Sequence, residues 1–192
     1  MEKKDIIDFF DNLAEDWDAD QVSKDEIIGK ILKNGEVVPH KDILDIACGT
    51  GVLFPFYFER NINSITGIDI SPEMVKIAKQ KFPETEIICG DAEEYQFDKK
   101  FDIIMIYNAF PHFPNPHKLA ANLAEYLKEN GRISIAHSMS RAQLQKHHSG
   151  SASKISLELP TAEDLAEFLK PYFNIDVIIS DDEMYQVSGI KK

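Results

Sequence analysis

The sequence predicts an α/β fold in which a mostly parallel sheet carries helices on both faces. From residue 42 to residue 137, short apolar segments typical of strands alternate with segments whose apolar residues recur at helical spacing. One segment, 101–107, is apolar on both faces, as a central parallel strand is. The last two strand-like segments are joined by a short acidic turn and must pair antiparallel, because a tight turn cannot make a crossover. We therefore expect one reversed strand near the edge of the sheet.

Two helices are predicted in residues 1–34, ahead of the first strand. In residues 4–17, apolar side chains recur every three or four positions, with acidic residues between them. A second helix is predicted over residues 23–33, because Ser23 suits its N-cap and Glu26 completes a capping-box pattern. The alternating strand and helix pattern begins only after these two helices.

The elements of the alternating region follow in a regular order. Ser71 suits the N-cap of the helix after the second strand and Pro72 suits its first position, while Thr161 suits the N-cap of the last helix. The predicted strands cover 42–47, 64–68, 85–89, 101–107, 132–137, 173–180 and 184–191; the predicted helices cover 52–59, the segment from 72, 117–129 and 161–170. Without a repeat or a second pattern, residues 1–192 are expected to form one domain.

The charge and the cysteine content argue against several classes of protein. The 192-residue chain has a formal net charge of −12, so its surface repels nucleic acid and anionic membranes and modestly favours a small neutral or cationic substrate. No apolar run reaches the ~20 residues that span a bilayer. With only Cys48 and Cys89, a disulfide scaffold is excluded and a cytoplasmic location is expected. The predicted partner is therefore a small molecule.

A glycine-containing turn follows the first predicted strand, at the edge where a parallel sheet binds ligands. Residues 45–51 have the sequence Asp-Ile-Ala-Cys-Gly-Thr-Gly. Gly49 and Gly51 allow a sharp turn and a close approach of the backbone to a ligand, and the amides of the next helix favour an anionic group such as an amino-acid carboxylate. Taken alone, this sequence fits a glycine-rich turn that binds no ligand as well as it fits a ligand-binding turn.

Three further groups of residues follow the second, third and fourth strands. Asp69 follows Asp45 by 24 residues and suits the two hydroxyls of a ribose as a hydrogen-bond acceptor. Asp91 suits an adenine amino group in the same way, although a polar turn would look alike. Residues 107–113 bring aromatic side chains and His112 to the end of the fourth strand, where they predict either an acceptor pocket or a hydrophobic plug.

Together these residues resemble the class I S-adenosylmethionine-dependent methyltransferases of the small-molecule type, and the likeness spans nearly the whole chain. The resemblance implies a Rossmann-like three-layer sandwich with a seven-stranded sheet, S-adenosylmethionine as the cofactor, and N-terminal lid helices that cover it. It also implies that residues 185–191 form the reversed strand. Ala47 stands where the family commonly has a glycine. The cofactor-binding positions that the resemblance implies are Asp45, Ala47, Cys48, Gly49, Gly51, Asp69, Ile70, Asp91, Ala92 and Asn108.

Methyl transfer from a sulfonium is an in-line displacement, so the enzyme mainly positions the acceptor and excludes water. A general base is needed only where the acceptor must lose a proton early. His112 and His137 are the candidate bases or acceptor contacts, because both are expected near strand ends; packing in the pocket wall is the alternative for His112. The other candidate acceptor contacts are Trp17, Phe110, Arg141, His147 and His148.

The least regular segment, 138–160, is predicted to contain a short helix near 141–147 and to form either a substrate loop or a solvated, mobile loop. A third interpretation is that His137 and one histidine of the 147–148 pair bind a metal or an acceptor containing one. The segment has no familiar ligand spacing, so we expect no metal.

Two other functions compete with methyl transfer. A nicotinamide-dependent oxidoreductase shares the glycine-containing turn and the acid after the second strand, but residues 45–51 lack the full G-x-G-x-x-G spacing. A non-catalytic cofactor-binding protein would keep the fold without turnover. The pattern leaves open the accepting atom and the choice between a monomer and a homodimer.

Overall fold

The computed structural model describes residues 1–19, 24–148 and 151–192; the side chains of 147, 148, 151 and 152 also lie outside the description. The helices are α1 (Lys3–Leu13), α2 (Asp25–Asn34), α3 (Phe54–Glu59), α4 (Pro72–Lys81), α5 (Pro116–Glu125), α6 (Arg141–His148) and α7 (Ala162–Leu169). The strands are β1 (Asp42–Ile46), β2 (Ser64–Asp69), β3 (Glu86–Cys89), β4 (Phe101–Tyr107), β5 (Leu127–His137), β6 (Phe173–Ser180) and β7 (Tyr185–Lys191). Short 3₁₀ segments cover Phe110–His112 and Ser151–Ile155.

The strands form one seven-stranded sheet in the order β3-β2-β1-β4-β5-β7-β6. The first five strands pair in parallel, whereas β7 runs antiparallel to both β5 and β6. The predicted reversed strand is therefore confirmed, and it lies one position from the edge. All five parallel strands end at the same side of the sheet, which places the loops after β1, β2, β3 and β4 together.

Helices cover both faces of the sheet, as the three-layer prediction requires. On one face, Leu44 and Ile104 belong to a core cluster that includes α5 and α7. On the other face, Ile43 and Met105 belong to a cluster that includes α2, α3 and α4. Because successive residues of β1 and β4 point to opposite faces, and both faces are buried, these strands read as continuous apolar runs.

Two predicted helix N-caps are confirmed. The Ser71 hydroxyl accepts a hydrogen bond from the Met74 amide at 3.1 Å, and the Thr161 hydroxyl accepts one from the Asp164 amide at 3.1 Å. Each bond satisfies an amide that the first turn of a helix leaves without an intrahelical partner. The predicted cap Ser23 lies outside the described residues.

The boundary between α5 and β5 differs from the prediction. The helix ends at Glu125, and the strand already begins at Leu127, whereas the sequence pattern predicted a helix to 129 and a strand from 132. Leu127 is fully buried and pairs with Phe101 of β4. The register then shifts before Ile103, which absorbs the extra residues. Burial of one leucine thus overrides the helical pattern of its neighbours.

The two N-terminal helices have different roles in the fold. Ile28, Ile31 and Leu32 of α2 are buried in the core beside β1 and β4, whereas α1 lies across the carboxyl edge of the sheet and ends at Leu13, four residues earlier than predicted. Within the described parts of the chain, none of the helices combines the length and the apolar character that crossing a membrane would need.

Candidate functional site

A cleft opens at the carboxyl edge of the parallel strands, beneath α1. It encloses about 960 Å³ including the solvent at its mouth. Most of its wall is apolar and aromatic. The described residues that line it are Lys3, Ile6, Phe10, Trp17, Ala47, Cys48, Gly49, Val52, Ile68, Asp69, Ile70, Met74, Gly90, Asp91, Ala92, Tyr107, Asn108, Ala109, His112, Phe113 and Pro114.

The loop after β1 turns sharply through left-handed backbone conformations. The φ angles are 53° at Ala47, 54° at Gly49 and 85° at Gly51. A Cβ atom at Gly51 would stand 2.8 Å from the ring of Phe82, so this position has no room for a side chain. A Cβ atom at Gly49 would enter open cleft, with the Trp17 Nε1 atom 3.9 Å away as its nearest neighbour. Gly51 therefore packs the loop, and Gly49 leaves space for a ligand.

Asp69, at the end of β2, links two of the predicted loops. Its carboxylate accepts hydrogen bonds from the Gly49 amide at 2.8 Å and from the Ser71 amide at 2.9 Å. Burial raises the pKa of Asp69 even though these backbone bonds oppose the shift. The side chain still borders the cleft, and each carboxylate oxygen has a second lone pair. Asp69 is thus held in place as an acceptor for donors in the cleft.

Asp45 and Gly51 lie behind the residues that line the cleft, and the cofactor-binding roles that the resemblance implies for them stay predictions. Asp45 is 2% exposed, lies near the Tyr57 hydroxyl, and does not line the cleft. Burial raises the pKa of its carboxyl group well above the ordinary value. The burial follows from the strand geometry, because Asp45 belongs to β1 itself and points into the packed layer beneath the loop.

Cys48 lines the cleft, but its thiol is not an activated nucleophile. Burial, together with the charges of Asp69 and Asp45, raises its pKa well above the ordinary value. A thiol needs a lowered pKa to react as a thiolate near neutral pH. Cys48 therefore contributes to the wall of the cleft as a packed side chain and not as a nucleophile.

The turn after β3 carries Asp91 at the cleft wall, and the sequence pattern did not identify its partner. The Asp91 carboxylate accepts a hydrogen bond from Lys3 and another from the Glu93 amide at 2.9 Å. Lys3 was missed because a lysine near a chain terminus normally reads as a solvated charge. Only the folding of α1 over the cleft brings it to Asp91.

Three rings form a continuous wall that runs from the α1 side of the cleft to the segment after β4. The Phe10 ring meets the His112 ring edge to face at 5.1 Å and the Trp17 ring at 5.8 Å between centroids. The Nδ1 atom of His112 lies 2.9 Å from the Ile155 carbonyl oxygen. Asn108, with a φ of 54°, joins the ends of β4 and β5 through its side chain, which accepts from the Ser138 amide at 2.9 Å.

The prediction that His137 faces the acceptor space is wrong. Its side chain is fully buried, and its ring packs edge to face with that of Tyr185 at 6.0 Å. The reason is that β5 continues through residue 137, where it pairs with β7, so the side chain still points into a sheet face and not beyond the strand end.

The other candidate acceptor contacts are divided by the structure. Trp17 lines the cleft, whereas Phe110 is buried in the core cluster on the α5 face. Arg141 donates to the Leu159 carbonyl at 2.8 Å and pairs with Glu158 at 3.0 Å, so it ties two parts of the predicted substrate loop together. Neither Phe110 nor Arg141 is among the residues that line the cleft, and their predicted contacts with an acceptor stay predictions.

The short helix predicted near 141–147 is present as α6. The side chains of His147 and His148 lie outside the described residues, so their predicted contacts and the metal alternative stay predictions. Among the described residues, no group of three or more histidine, cysteine, aspartate or glutamate side chains is placed to hold a metal ion.

Fold and site together define a Rossmann-like protein with a cleft for a nucleoside cofactor that carries an amino-acid group. The open space at Gly49 fits such a group close to the backbone, and the Asp69 carboxylate fits a ribose. A dinucleotide-binding oxidoreductase has the strand order 3-2-1-4-5-6, from which the reversed strand inserted between β5 and β6 departs. The cleft residues thus fit S-adenosylmethionine, and the strand order departs from that of the NAD-binding oxidoreductases.

Comparison with known proteins agrees. Residues 44–135 match the family described as "Methyltransferase domain". The demethylmenaquinone methyltransferase of Thermotoga maritima is 31% identical over 144 residues, covering 69% of this chain and 61% of that protein. The malonyl-[acyl-carrier protein] O-methyltransferase of Acetivibrio thermocellus is 34% identical over 98 residues, covering 50% of this chain and 35% of that protein. The chain thus spans between about a third and three fifths of these relatives.

A solved structure shows the same fold over the full length of both chains. The magnesium protoporphyrin IX methyltransferase of Synechocystis PCC 6803, with bound S-adenosylhomocysteine, superposes with a TM-score of 0.74 and 18% sequence identity, covering 100% of each chain. Residues 44–135 thus match a methyltransferase domain, and the sequence relatives and the shared fold together support a class I S-adenosylmethionine-dependent methyltransferase, a family whose cofactor is S-adenosylmethionine.

Proposed function

We propose that this chain transfers a methyl group from S-adenosylmethionine to an uncharged, ring-containing small molecule in the cytoplasm. The observation that carries the proposal is the juxtaposition of Gly49 and Asp69 in one cleft wall, at the carboxyl edge of the family's sheet. Both described cysteines are free thiols, which supports a reducing compartment.

The cofactor would be held by residues from three consecutive strand ends. The backbone around Gly49 would receive the amino-acid part, and Asp69 would accept hydrogen bonds from the ribose hydroxyls. Ile70 and Ala92 would pack on the adenine, with Asp91 at its amino edge. Support for these roles comes from the positions of these residues in the cleft lining.

When bound, S-adenosylmethionine supplies a methyl group on a positively charged sulfur, which is a good leaving group. The protein's own task is then to orient the acceptor and to exclude water. Phe10 and Trp17 close the cleft from the α1 side. Asn108 fixes the ends of β4 and β5 relative to each other through its bond with Ser138.

The acceptor class follows from the charges in the described lining. Lys3 is the one cationic side chain that these residues place there, and it is already engaged by Asp91 and Glu93. A carboxylate acceptor would therefore lack a basic partner, and burying it would be costly. The ring wall of Phe10, Trp17 and His112 instead favours stacking with a flat ring.

His112 is the proposed proton acceptor where the acceptor is a hydroxyl group. A carbonyl oxygen only accepts hydrogen bonds, so the 2.9 Å contact with Ile155 requires the proton of the neutral imidazole on Nδ1. His112 borders the cleft where the acceptor would bind, and the Ser156 hydroxyl lies 3.2 Å from its Nδ1 atom. A base in this position can take the proton that the acceptor loses.

The first test is calorimetric titration of the protein with S-adenosylhomocysteine, with NAD as the control ligand. We expect micromolar binding of S-adenosylhomocysteine and weaker or no binding of NAD. The loaded protein is then assayed with two matched acceptors, one ring bearing a hydroxyl group and the same ring bearing a carboxylate in its place. Methylation of the carboxylate alone would contradict the acceptor class, and binding without turnover of any acceptor would favour a non-catalytic binder.

Phe10→Ala tests the ring wall, with Phe9→Ala as the matched control. Phe9 packs against Phe10 at 5.3 Å but does not line the cleft. We expect Phe10→Ala to raise the KM for the ring acceptor about tenfold, on the scale of a lost aromatic contact, and Phe9→Ala to leave it nearly unchanged. Equal effects of the two variants would mean that α1 acts only through its packing.

A further inference from the structure

A cluster of three acidic side chains meets one cation at the mouth of the cleft. Asp91, Glu93 and Glu94 lie on the turn after β3, and the Lys3 ammonium group contacts all of them. It donates to Asp91 and lies 3.1 Å from Glu93 and 3.4 Å from Glu94. Although partial burial opposes the shift, the bonds to Asp91 and Glu93 raise the pKa of Lys3, so it stays charged at physiological pH.

Glu93 connects the contact between Lys3 and the acidic turn to the segment after β4. Its side chain is fully buried, and its carboxylate accepts hydrogen bonds from the Asn115 amide at 2.6 Å and from the Asn115 side chain at 3.1 Å. Asn115 directly follows Phe113 and Pro114, which line the cleft. Lys3 therefore sits where α1, the turn after β3 and the wall after β4 meet.

Residues 3–18, called the covering segment here, run from Lys3 along the length of the cleft. Ile6 and Phe10 line its middle, and Trp17 reaches the loop at Gly49. This far end is also attached by a polar contact, since Asp18 accepts from Thr50 at 2.6 Å and from Lys81 at 2.7 Å. A ligand bound beneath this segment cannot leave along the α1 side while both ends stay attached.

We propose that Lys3 is a positioning residue that fastens α1 over the cleft and sets the rate at which the cofactor exchanges. The inference rests on the proposed function, because it takes the cleft as the cofactor site. Without Lys3, the buried Glu93 carboxylate and its neighbour Asp91 lose their counter-charge. Removal of one partner of such a pair leaves an uncompensated buried charge and is costly, and opening of the covering segment would let water solvate the two carboxylates. Asp91 binds Lys3 and is also expected at the amino edge of the adenine, so one side chain would contact both α1 and the ligand.

The test measures the release of S-adenosylhomocysteine by stopped-flow fluorescence of Trp17, the single tryptophan of the chain, which lines the cleft. We expect Lys3→Met to release the ligand roughly tenfold faster than the wild type, between the effects of an exposed and a buried ion pair. Lys3→Arg should recover most of the slow release. Raising the salt concentration should speed release more in the wild type than in Lys3→Met, which keeps only the Asp18–Lys81 ion pair at the far end.

Lys118→Met is the control, because it removes the same charge from the other lysine that pairs with Glu94, at 2.7 Å, outside the cleft. It should release the ligand at the wild-type rate, and thermal melting checks that each variant is folded. If the wild type binds no S-adenosylhomocysteine, the proposed function falls, and this inference with it. If the wild type binds and Lys3→Met releases at the same rate, only the role of Lys3 is overturned.

Discussion

The two ends of the parallel strands carry carboxylates in opposite electrostatic states. At the carboxyl edge, burial raises the pKa of both Asp45 and Asp69. At the amino edge, burial also acts on Asp42, but its bonds with Lys128 and with the polar side chains of Ser64 and Asn63 lower the pKa to about 2. One sheet thus holds destabilised carboxylates at one edge and stabilised ones at the other.

The difference follows from what surrounds each group. Lys128 pairs with Asp42 at 2.6 Å and with Asp102 at 2.8 Å, so charge is balanced within the protein. Asp69 has backbone amides as partners, and its remaining acceptor capacity faces the cleft. A buried carboxylate that needs donors from a ligand to complete its hydrogen bonds lowers the stability of the ligand-free protein. The amino edge therefore supports the fold, whereas the carboxyl edge is shaped for binding.

The largest expected effect tests whether the carboxyl edge depends on backbone shape. We expect Gly51→Ala to lower the free energy of unfolding by about 2–4 kcal/mol, because its methyl group would meet Phe82 in a left-handed backbone conformation. Gly49→Ala should cost only about 1 kcal/mol, since its methyl group enters open cleft. Urea denaturation measures both free energies.

The variants Gly49→Ala and Gly51→Ala also separate an effect on binding from an effect on stability. The Gly49→Ala methyl group occupies the space proposed for the cofactor, so titration with S-adenosylhomocysteine should show weakened binding in a folded protein. If Gly51→Ala proved as stable as the wild type, the packing described for the loop would be incorrect.

The next effect concerns Asp69. We expect Asp69→Ala to weaken S-adenosylhomocysteine binding by about 2–3 kcal/mol, or roughly 30- to 150-fold, the scale of lost hydrogen bonds to a charged group. Its effect on unfolding should be smaller. The pKa of Asp69 is raised in the folded protein, so the folded state binds the proton more tightly than the unfolded state does. The stability that Asp69 contributes is therefore present below its ordinary pKa and is lost as the pH rises through the raised pKa. Calorimetry measures the loss of binding free energy, and urea denaturation of the same preparation measures the loss of unfolding free energy. A larger loss in unfolding than in binding would mean that Asp69 supports the fold more than the binding of the ligand.

The smallest effect tests the amino edge through pH. The pKa of Asp42 is lowered from 3.8 to about 2, so its contribution to stability is present above pH 3.8 and is lost as the pH falls toward 2. We expect Asp42→Asn to be less stable than the wild type by about 1–2 kcal/mol at pH 7, after allowance for the partial exposure of the pair.

Urea denaturation of both proteins between pH 7 and pH 2 would check this. The difference in unfolding free energy should stay constant down to pH 4 and then shrink. A difference independent of pH would mean that Asp42 acts through hydrogen bonds that its protonated form also makes.

Most of the fold was predictable because its signals are local. The caps Ser71 and Thr161 lie three residues from the amides that they bind, and the closing hairpin is fixed by its short acidic turn. The start of β5 was not predictable, because Leu127 follows the helical pattern of its neighbours in the sequence but forms a strand through its pairing with Phe101. In the site, Gly49 and Asp69 were found because strand ends in a parallel sheet share an edge.

By itself, the sequence determined the class of fold, the loops after β1 and β2 that line the cleft, and the reversed strand, because periodicity and turn residues act over a few neighbouring positions. Only the tertiary structure decided that Lys3 meets Asp91, 88 residues away in the chain, that His137 is sealed in a sheet face, and that Phe10, Trp17 and His112 form one wall. Such contacts depend on how helices dock across the sheet, and a charge or a ring in the sequence does not specify its distant partner.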